Sequence, residues 1–261
     1  MPKAVKKKRD PISKAPLRDP GQSLREELDR EVDERLGAWL MAYLIGLLLC
    51  GLEWYRWYFQ TPPTPVLYTV LTVLALPLVL WRLRSGLRVL KNIKRGLKGE
   101  RYVGQFLQSE LAPKGYRIFH DICDEGVNID HALIGPGGVF AIETKTRCKG
   151  TAPPKVHYDG HKVRIDGYEP DRDPVAQARA AAARLAEIIR EYSGHRVRVR
   201  AVVLFPKWYV VNSSRNPETW VLNGKAFVGF LAREAEQLSH EQQTAMAEGL
   251  SRYIREWDQR H

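Results

Sequence analysis

The chain has 261 residues, of which 44% are hydrophobic and 27% charged, a balance that is ordinary for a folded protein. Its formal net charge of +11 indicates an anionic partner, either nucleic acid or acidic lipid. The three cysteines form no CxxC pair and no cluster with histidine. This argues against a disulfide scaffold and a structural zinc site, and it favours a reducing compartment.

The N-terminal region is polar and basic. Residues 1–20 carry clustered lysine and arginine among prolines and few apolar side chains, which predicts a disordered tail. Residues 21–37 follow with a polar helical pattern, for which Ser23 is the predicted N-cap and Glu26 the matching glutamate three residues later. This helix is predicted to run directly into the next segment.

Two apolar segments occupy residues 38–58 and 64–83, joined by a proline-rich turn. Each offers about 20 residues, the length at which an α-helix crosses the hydrocarbon core of a bilayer. Aromatic side chains lie at the segment ends, where an interfacial belt is expected, namely Trp54, Tyr55, Trp57, Tyr58 and Trp81. We therefore predict a transmembrane α-helical hairpin over 38–83. A buried or oligomerising hairpin of a soluble enzyme is the alternative.

Basic residues flank this hairpin on both sides. Residues 84–98 form a basic juxtamembrane helix that can contact anionic lipid or nucleic acid, with lipid favoured. By the positive-inside tendency, both chain termini and the domain that follows face the cytoplasm. The predicted location is the inner (cytoplasmic) membrane, with two spans and a short outer loop.

Residues 99–261 alternate between helical and strand patterns. A helix ending near Pro113 and Gly115 precedes three predicted strands, "YRIFHDICD", "NIDHALIG" and "GVFAIETKTR". A polar insertion with a hairpin, "KVHYDGHKVRI", leads to a helix that Asp173 caps and Gly194 ends. A fourth strand, "RVRVRAVVLFP", and a terminal helix follow. The predicted fold is α/β, with an α-β-β-β-α-β core and a mixed sheet flanked by helices.

Three ionisable residues interrupt the second and third of these strands. Glu143 and Lys145 share one strand face about 7 Å apart, because side chains alternate and each residue rises roughly 3.3 Å. Antiparallel pairing of the two strands brings Asp130 to the same patch. Two converging carboxylates favour a hard cation such as Mg²⁺ or Mn²⁺, which the lysine assists by stabilising charge on a phosphodiester. From the spacing alone, an ordinary ion pair on a strand face is the other interpretation.

The run "NIDHALIGPGGVFAIETKTR", with "GERYVGQFL", "GYRIFHDI" and "DPVAQARAAAARL", resembles the NERD (nuclease-related) domain. The resemblance extends from Gly99 to about Leu185. NERD domains belong to the PD-(D/E)xK, restriction-endonuclease-like nucleases. The resemblance therefore implies a restriction-endonuclease-like core and divalent-metal-dependent cleavage of phosphodiester bonds, with Mg²⁺ or Mn²⁺ as the cofactor.

The same resemblance assigns roles to individual residues. Asp130 and Glu143 match the acidic pair that binds the metal, and Lys145 matches the motif lysine. Glu100 stands where the first helix of such folds often supplies another acidic ligand. Gln177 matches a glutamine that faces the site from the helix after the third strand.

Two positions beside Asp130 need separate comment. Ile129 replaces the proline that gives the motif its name, a position at which the family varies. His131 belongs to the family's pattern without an assigned role. Strand alternation puts its side chain on the face opposite Asp130, so a structural hydrogen bond is at least as good an interpretation as catalysis.

Other basic residues are candidates for contact with phosphate. Arg196, Arg198 and Arg200 alternate along the predicted fourth strand, where they either touch the nucleic-acid backbone or face solvent. Lys162 and Arg164, on the inserted hairpin, are within reach of a substrate groove in this interpretation.

These observations lead to one principal hypothesis and one rival. The principal hypothesis is a membrane-anchored, divalent-metal-dependent nuclease that hydrolyses nucleic acid, DNA rather than RNA, at the cytoplasmic face. The rival is a non-catalytic scaffold that uses a nuclease-like fold to bind nucleic acid or a partner. A homodimer or larger membrane complex fits either. The sequence leaves open the cleavage mode, the sequence specificity and the biological pathway.

Overall fold

A computed structural model describes residues 17–60, 65–146, 155–214 and 218–260, without the side chains of 35 and 36. Most of the predicted basic tail, most of the turn between the apolar segments and the start of the polar insertion lie outside the described residues. The chain divides into two compact units. One is Gly21–Arg101, and the other combines Met1–Pro20 with Tyr102–His261.

The first unit is helical. Its elements are α1 (Gln22–Glu31), a π-helical stretch (Val32–Gly37), α2 (Ala38–Tyr58) and the beginning of α3 (Pro65–Leu111). The prediction of Ser23 as the N-cap is wrong, because α1 already begins at Gln22. Gly21 occupies the N-cap position with a φ of 71°, in the left-handed region that glycine adopts without steric cost.

Small and hydroxylated side chains join α2 to the first part of α3. Thr69 Oγ1 accepts a hydrogen bond from Trp54 Nε1 at 3.3 Å and lies 3.2 Å from Cys50 Sγ. Thr72 Oγ1 is 3.5 Å from the carbonyl oxygen of Gly46, to which it donates. Such polar contacts, together with small residues such as Gly46 and Cys50, are typical of helix pairs in an apolar environment.

The outer surfaces of these two helices are apolar and exposed. The helices over Gln22–Tyr58 and Pro65–Lys114 contain stretches with mean hydropathies of 1.8 and 2.0, each only 6% buried. Both are therefore long and apolar enough to cross a membrane.

Helix α3 is continuous from Pro65 to Leu111, with Pro77 inside it. The predicted second span, the basic segment 84–98 and the first helix of the following domain thus form one helix. It ends in a short 3₁₀ turn (Ala112–Lys114), after which Gly115 has a φ of 82°. Pro113 and Gly115 end the helix where the sequence predicts.

Two sheets form the second unit. The larger has the order β1-β2-β3-β6-β8, antiparallel from β1 to β3 and parallel from β3 to β8. Its strands are β1 (Arg117–Asp124), β2 (Val127–Gly135), β3 (Gly138–Thr144), β6 (Val199–Leu204) and β8 (Trp220–Leu222). The smaller has the order β5-β4-β7. Its strands are β4 (Lys155–Tyr158), β5 (Val163–Ile165) and β7 (Tyr209–Asn212), and β4 with β5 is the predicted inserted hairpin.

Helices cover both faces of the larger sheet. On one face, α4 (Pro174–Ser193) and α6 (His240–Arg260) share an apolar cluster with the strands. On the other, the end of α3 and α5 (Gly224–Leu231) form a second cluster. Asp173 caps α4, and Gly194 follows it in a left-handed conformation, as predicted. The mixed α/β architecture with a mixed sheet is confirmed.

The predicted arginine stripe on the fourth strand is wrong in extent. Because β6 begins at Val199, Arg196 and Arg198 precede it and only Arg200 lies on the strand. The guanidinium carbon of Arg200 is 4.8 Å from the centroid of the Trp220 ring on β8. This cation–π contact ties the Arg200 side chain to the neighbouring strand.

Close packing at the end of β2 gives a test of this fold. A Cβ added at Gly135 would lie 2.2 Å from Cδ1 of Tyr116. We expect Gly135→Ala to lower the free energy of unfolding by about 1–3 kcal/mol, because the ring must move out of a filled core. Thermal unfolding followed by circular dichroism measures the effect.

The control is Gly229→Ala, since a Cβ at this position of α5 meets nothing within 4 Å. Alanine favours a helix, so this variant should be neutral or slightly more stable. Equal melting temperatures for the two variants would contradict the packing of Tyr116 against β2.

Candidate active site

Asp130 and Glu143 lie just beyond the last pair of the β2–β3 register. His131 of β2 pairs with Ile142 of β3, and Asp130 and Glu143 occupy the next position of the same antiparallel register. Directly opposed residues of two strands project to the same side of a sheet. Both side chains are buried, with residue exposures of 8% for Asp130 and 7% for Glu143.

Asp130 also holds the end of β3 through the backbone. Its Oδ2 accepts a hydrogen bond from the backbone N–H of Thr144 at 2.6 Å. A carboxylate that accepts from a backbone N–H makes a strong, charge-assisted hydrogen bond. The end of β3 is therefore attached to β2 by a side chain where the ladder of backbone hydrogen bonds stops.

Lys145 is the next residue after the strand. Its Nζ donates to Glu143 Oε1 at 2.5 Å, and its side chain is 28% exposed. The backbone N–H of Lys145 donates to the carbonyl oxygen of Leu204 on β6 at 2.9 Å. The backbone contact fixes where the lysine leaves the sheet, and the ion pair fixes its ammonium beside the buried carboxylate.

Gln177 belongs to the first turn of α4. Its helical neighbours Val175 and Ala178 share an apolar cluster with Ala141, two residues before Glu143 on β3. The Oε1 atom of Gln177 is buried and accepts no hydrogen bond from the described residues. A buried amide oxygen without a partner is costly, and the predicted role of Gln177 at the site stays a prediction.

Glu100 is buried on α3, with an exposure of 7%. It belongs to the unit Gly21–Arg101, whereas the other candidate residues belong to the second unit. Within its own unit it packs against Gly21, where an added Cβ would lie 3.2 Å from Glu100 Oε2. Its predicted role as a further acidic ligand stays a prediction.

The atoms of these side chains that could bind a metal ion are all oxygens, which Mg²⁺ and Mn²⁺ prefer. Among the described residues, no group of three or more histidine, cysteine, aspartate or glutamate side chains could hold a metal ion. Mg²⁺ seldom needs such a cage, because it keeps several waters and is often bound by one or two carboxylates plus substrate phosphate. Asp130 and Glu143 fit that mode.

His131 follows Asp130 on β2 and contacts a second histidine. Its Nδ1 is 2.9 Å from Nδ1 of His120, its register partner on β1. Burial lowers the pKa of His120 to about 4, and burial with the neighbouring His120 lowers the pKa of His131 well below its ordinary value. Two neutral rings can share one hydrogen bond, whereas two imidazolium rings would repel. His131 thus joins β1 to β2, consistent with a structural role.

An ion-pair network that sequence reasoning missed lies on β1. Asp121 is fully buried with a φ of 50°, and its carboxylate accepts from Arg18 Nε at 2.7 Å and Asn128 Nδ2 at 3.3 Å. Arg18 also contacts Asp258 at 2.8 Å. Arg18 comes from the predicted disordered tail, so that prediction is wrong for this residue. The one sign of this network in the sequence was that Asp121, a charged residue, lies inside a predicted strand.

The fold and the site together define a class. A mixed α/β domain with a buried aspartate on its second strand, and a buried glutamate and a lysine at the end of its third, is consistent with a restriction-endonuclease-like core. In agreement, residues 95–206 match the NERD family, described as nuclease-related domain. The matched segment contains all five candidate residues. No curated protein and no solved structure matches the chain.

The histidine pair predicts a pH-dependent stability. Because its folded-state pKa is lowered, each histidine contributes stability above its unfolded pKa of about 6.5, which is lost as the pH falls. Between about pH 6.5 and pH 5, we expect each histidine to lower the free energy of unfolding by about 1.4 kcal/mol for every pH unit. Melting temperatures of the full chain in detergent, measured across this range, test the slope.

Substitution separates this effect from general acid sensitivity. His131→Gln should lower the melting temperature at pH 7 and flatten its decrease with falling pH. The exposed His161 provides the control, because His161→Gln removes an imidazole without touching the pair. If the melting temperature of His131→Gln falls with pH as steeply as that of the wild type, the histidine pair is not the cause of the pH dependence.

Proposed function

We propose that the protein is a membrane-anchored, divalent-metal-dependent nuclease that hydrolyses phosphodiester bonds, in DNA rather than RNA, at the cytoplasmic face. The observation that carries the proposal is the convergence of Asp130, Glu143 and Lys145 at one edge of the sheet. This convergence falls inside the segment that matches the nuclease-related domain. A salt-bridged strand of no function would need neither the opposed Asp130 nor the unpartnered oxygen of Gln177.

Asp130 and Glu143 would hold the metal ion through their carboxylate oxygens. When bound, Mg²⁺ or Mn²⁺ supplies Lewis-acid stabilisation of a phosphoryl oxygen and a more acidic water. The hydrogen bond from Thr144 orients Asp130 and restricts its rotation. Burial of both carboxylates excludes most solvent, which strengthens their attraction to a cation.

Lys145 has a different part in the proposed reaction. Its ammonium neutralises Glu143 and lies where a bound phosphate would approach the sheet edge. There it donates a hydrogen bond to a phosphoryl oxygen or to the attacking water, stabilising the charge that develops during attack. The Gln177 amide oxygen accepts a hydrogen bond from the same water or ligand, which removes its unsatisfied state.

The membrane attachment rests on α2 and the first part of α3. Exposed cations then follow along α3, namely Arg84, Arg88, Lys91, Lys94 and Lys98. Their spacing of three or four residues puts them on one side of the helix, where they can contact anionic headgroups of the cytoplasmic leaflet. This charge distribution supports a cytoplasmic orientation of both termini and of the catalytic domain.

One observation favours the scaffold alternative. Glu143 already has a close cationic partner in Lys145, and a buried carboxylate with such a partner needs no metal ion for its stability. In that case the domain would bind nucleic acid or a partner without turnover. Metal affinity distinguishes the two functions.

Cleavage by the full chain in detergent micelles tests the proposed site. Glu143→Gln and Lys145→Ala should each lower Mg²⁺-dependent cleavage of DNA by about 100-fold or more, because each removes a charge acting on the transition state. A panel of labelled single-stranded and duplex DNA and RNA reports the substrate and the cleavage mode.

The chain offers a matched control pair. Glu248 and Lys114 are exposed and have no role in the proposed site, so Glu248→Gln and Lys114→Ala make the same chemical changes elsewhere. Cleavage that survives in the Glu143 and Lys145 variants would refute the assignment. Calorimetric titration with Mn²⁺ decides between the functions, since DNA binding without metal affinity would favour the scaffold.

A substitution on the exposed apolar surface of α3 tests the membrane attachment. Leu74 lies near the middle of the predicted second span and is 69% exposed. Leu74→Arg should reduce recovery of the chain in the membrane fraction, because a central arginine costs about 2.5–3.5 kcal/mol on insertion. Leu74→Ala is the control. Recovery of the wild-type chain in the aqueous phase without detergent would instead support a soluble oligomerising hairpin.

A further inference from the structure

A second feature lies on the α3 side of the larger sheet. A cavity of about 210 Å³ is enclosed by the end of α3, the segment after β6 and the start of α5. Val103, Phe106 and Leu204 form apolar walls, and Tyr102 stands among the lining residues with 43% of its surface exposed. None of the candidate metal-site residues lines this cavity.

Two lysines give the cavity a positive rim. Lys207 and Lys225 are both exposed lining residues. The Lys207 ammonium is 4.7 Å from the centroid of the Tyr102 ring, a cation–π contact that covers one ring face. Lys207 also has a φ of 62°, a conformation that costs a non-glycine residue energy.

The cavity and the candidate metal site share one edge of the sheet. Strands β3, β6 and β8 run parallel, so their carboxyl ends meet there. Leu204, at the end of β6, both lines the cavity and accepts the hydrogen bond from Lys145 N–H at 2.9 Å. Leu204 therefore links the cavity, on the α3 face of the sheet, to the end of β3, from which Glu143 projects towards the α4 face.

The shape and chemistry of the cavity select its ligand. Its volume is below the ~300–1,000 Å³ of pockets for drug-sized ligands, which suits one flat ring system and not a lipid acyl chain. Apolar and aromatic walls with ammonium groups at the rim match a nucleobase whose flanking phosphates stay outside. Bases stack on aromatic side chains with little dependence on sequence.

We propose that this cavity is a nucleobase subsite, which receives an unpaired base adjoining the phosphodiester at the Asp130–Glu143 site. Tyr102 stacks on the base, and Lys207 and Lys225 bind the flanking phosphates. Because a paired base cannot enter, the protein prefers single-stranded, frayed or flipped substrates. The inference rests on the proposed nuclease function for its position in the reaction, but binding is measurable without cleavage.

The test is a binding titration of the full chain in detergent micelles with a chelator present, which prevents metal-dependent cleavage. The probes are a single-stranded 12-mer carrying one 2-aminopurine and the corresponding duplex. Tyr102→Leu keeps an apolar side chain but removes the stacking ring. It should weaken single-strand binding by about 5- to 150-fold, abolish the stacking-induced quenching of 2-aminopurine, and leave duplex binding nearly unchanged.

Lys207→Gly has a separate signature. Glycine adopts a φ of 62° without strain, so the melting temperature should stay equal or rise while single-strand affinity falls. Losing one phosphate contact should also lower the slope of log affinity against log salt by about 0.7. A defect in folding would lower the melting temperature and would not change this slope selectively.

One control repeats the tyrosine-to-leucine change elsewhere, and a second removes another exposed lysine ammonium. Tyr168 is 78% exposed beside the smaller sheet. Lys114 is exposed in the 3₁₀ turn that follows α3. Tyr168→Leu and Lys114→Ala should bind single strands like the wild type. If the Tyr102 and Lys207 variants behave like these controls, or weaken duplex and single strand equally, the subsite is overturned.

The remaining outcomes separate the subsite from the nuclease proposal. Loss of binding to phosphatidylglycerol vesicles in Tyr102→Leu, with DNA binding intact, would assign the cavity to lipid and overturn the inference. Tyr102-dependent single-strand binding in a wild-type chain that cleaves nothing with Mg²⁺ would support the subsite and refute the nuclease. Cleavage without any Tyr102 dependence would refute the subsite alone.

Discussion

The hydrogen bond from the backbone N–H of Thr144 to Asp130 fixes the geometry on which the candidate site depends. Pairing between β2 and β3 stops at His131 and Ile142, while β3 stays paired with β6 through Thr144. A buried N–H without a partner would be costly, and the Asp130 carboxylate satisfies it. One side chain therefore ends the antiparallel pairing and holds a carboxylate opposite Glu143.

Burial of charge is the second constraint. Buried carboxylates destabilise a fold unless a cation or several donors compensate them. Lys145 provides this for Glu143, and Arg18 provides it for Asp121 on β1. The two cations differ in exposure, since the Lys145 side chain is 28% exposed and the Arg18 side chain only 8%. The same compensation thus occurs at the proposed site and where the N-terminal segment is attached to β1.

Much of the domain could be predicted because its patterns are local. The two-residue turn after Gly135 and strict alternation define the register that opposes Asp130 to Glu143. The caps at Asp173 and Gly194 define α4. Sequence reasoning failed where partners are distant in the chain: Arg18 with Asp121, His120 with His131, and Arg200 with Trp220. Nothing in the spacing of such residues marks them as neighbours, because folding alone brings them together.

By itself, the sequence determined the two apolar segments, the order of elements from the end of α3 to β6, and the acidic pair with its lysine, since each follows from periodicity, turn residues or a motif within a short stretch. It did not predict β7 or β8. Only the tertiary structure decided that α3 continues unbroken from Pro65 to Leu111. It alone brought the ends of β6 and β8 together with α3 and α5 around the cavity. Those outcomes depend on which surfaces bury each other, a property of the packed chain and not of any one segment.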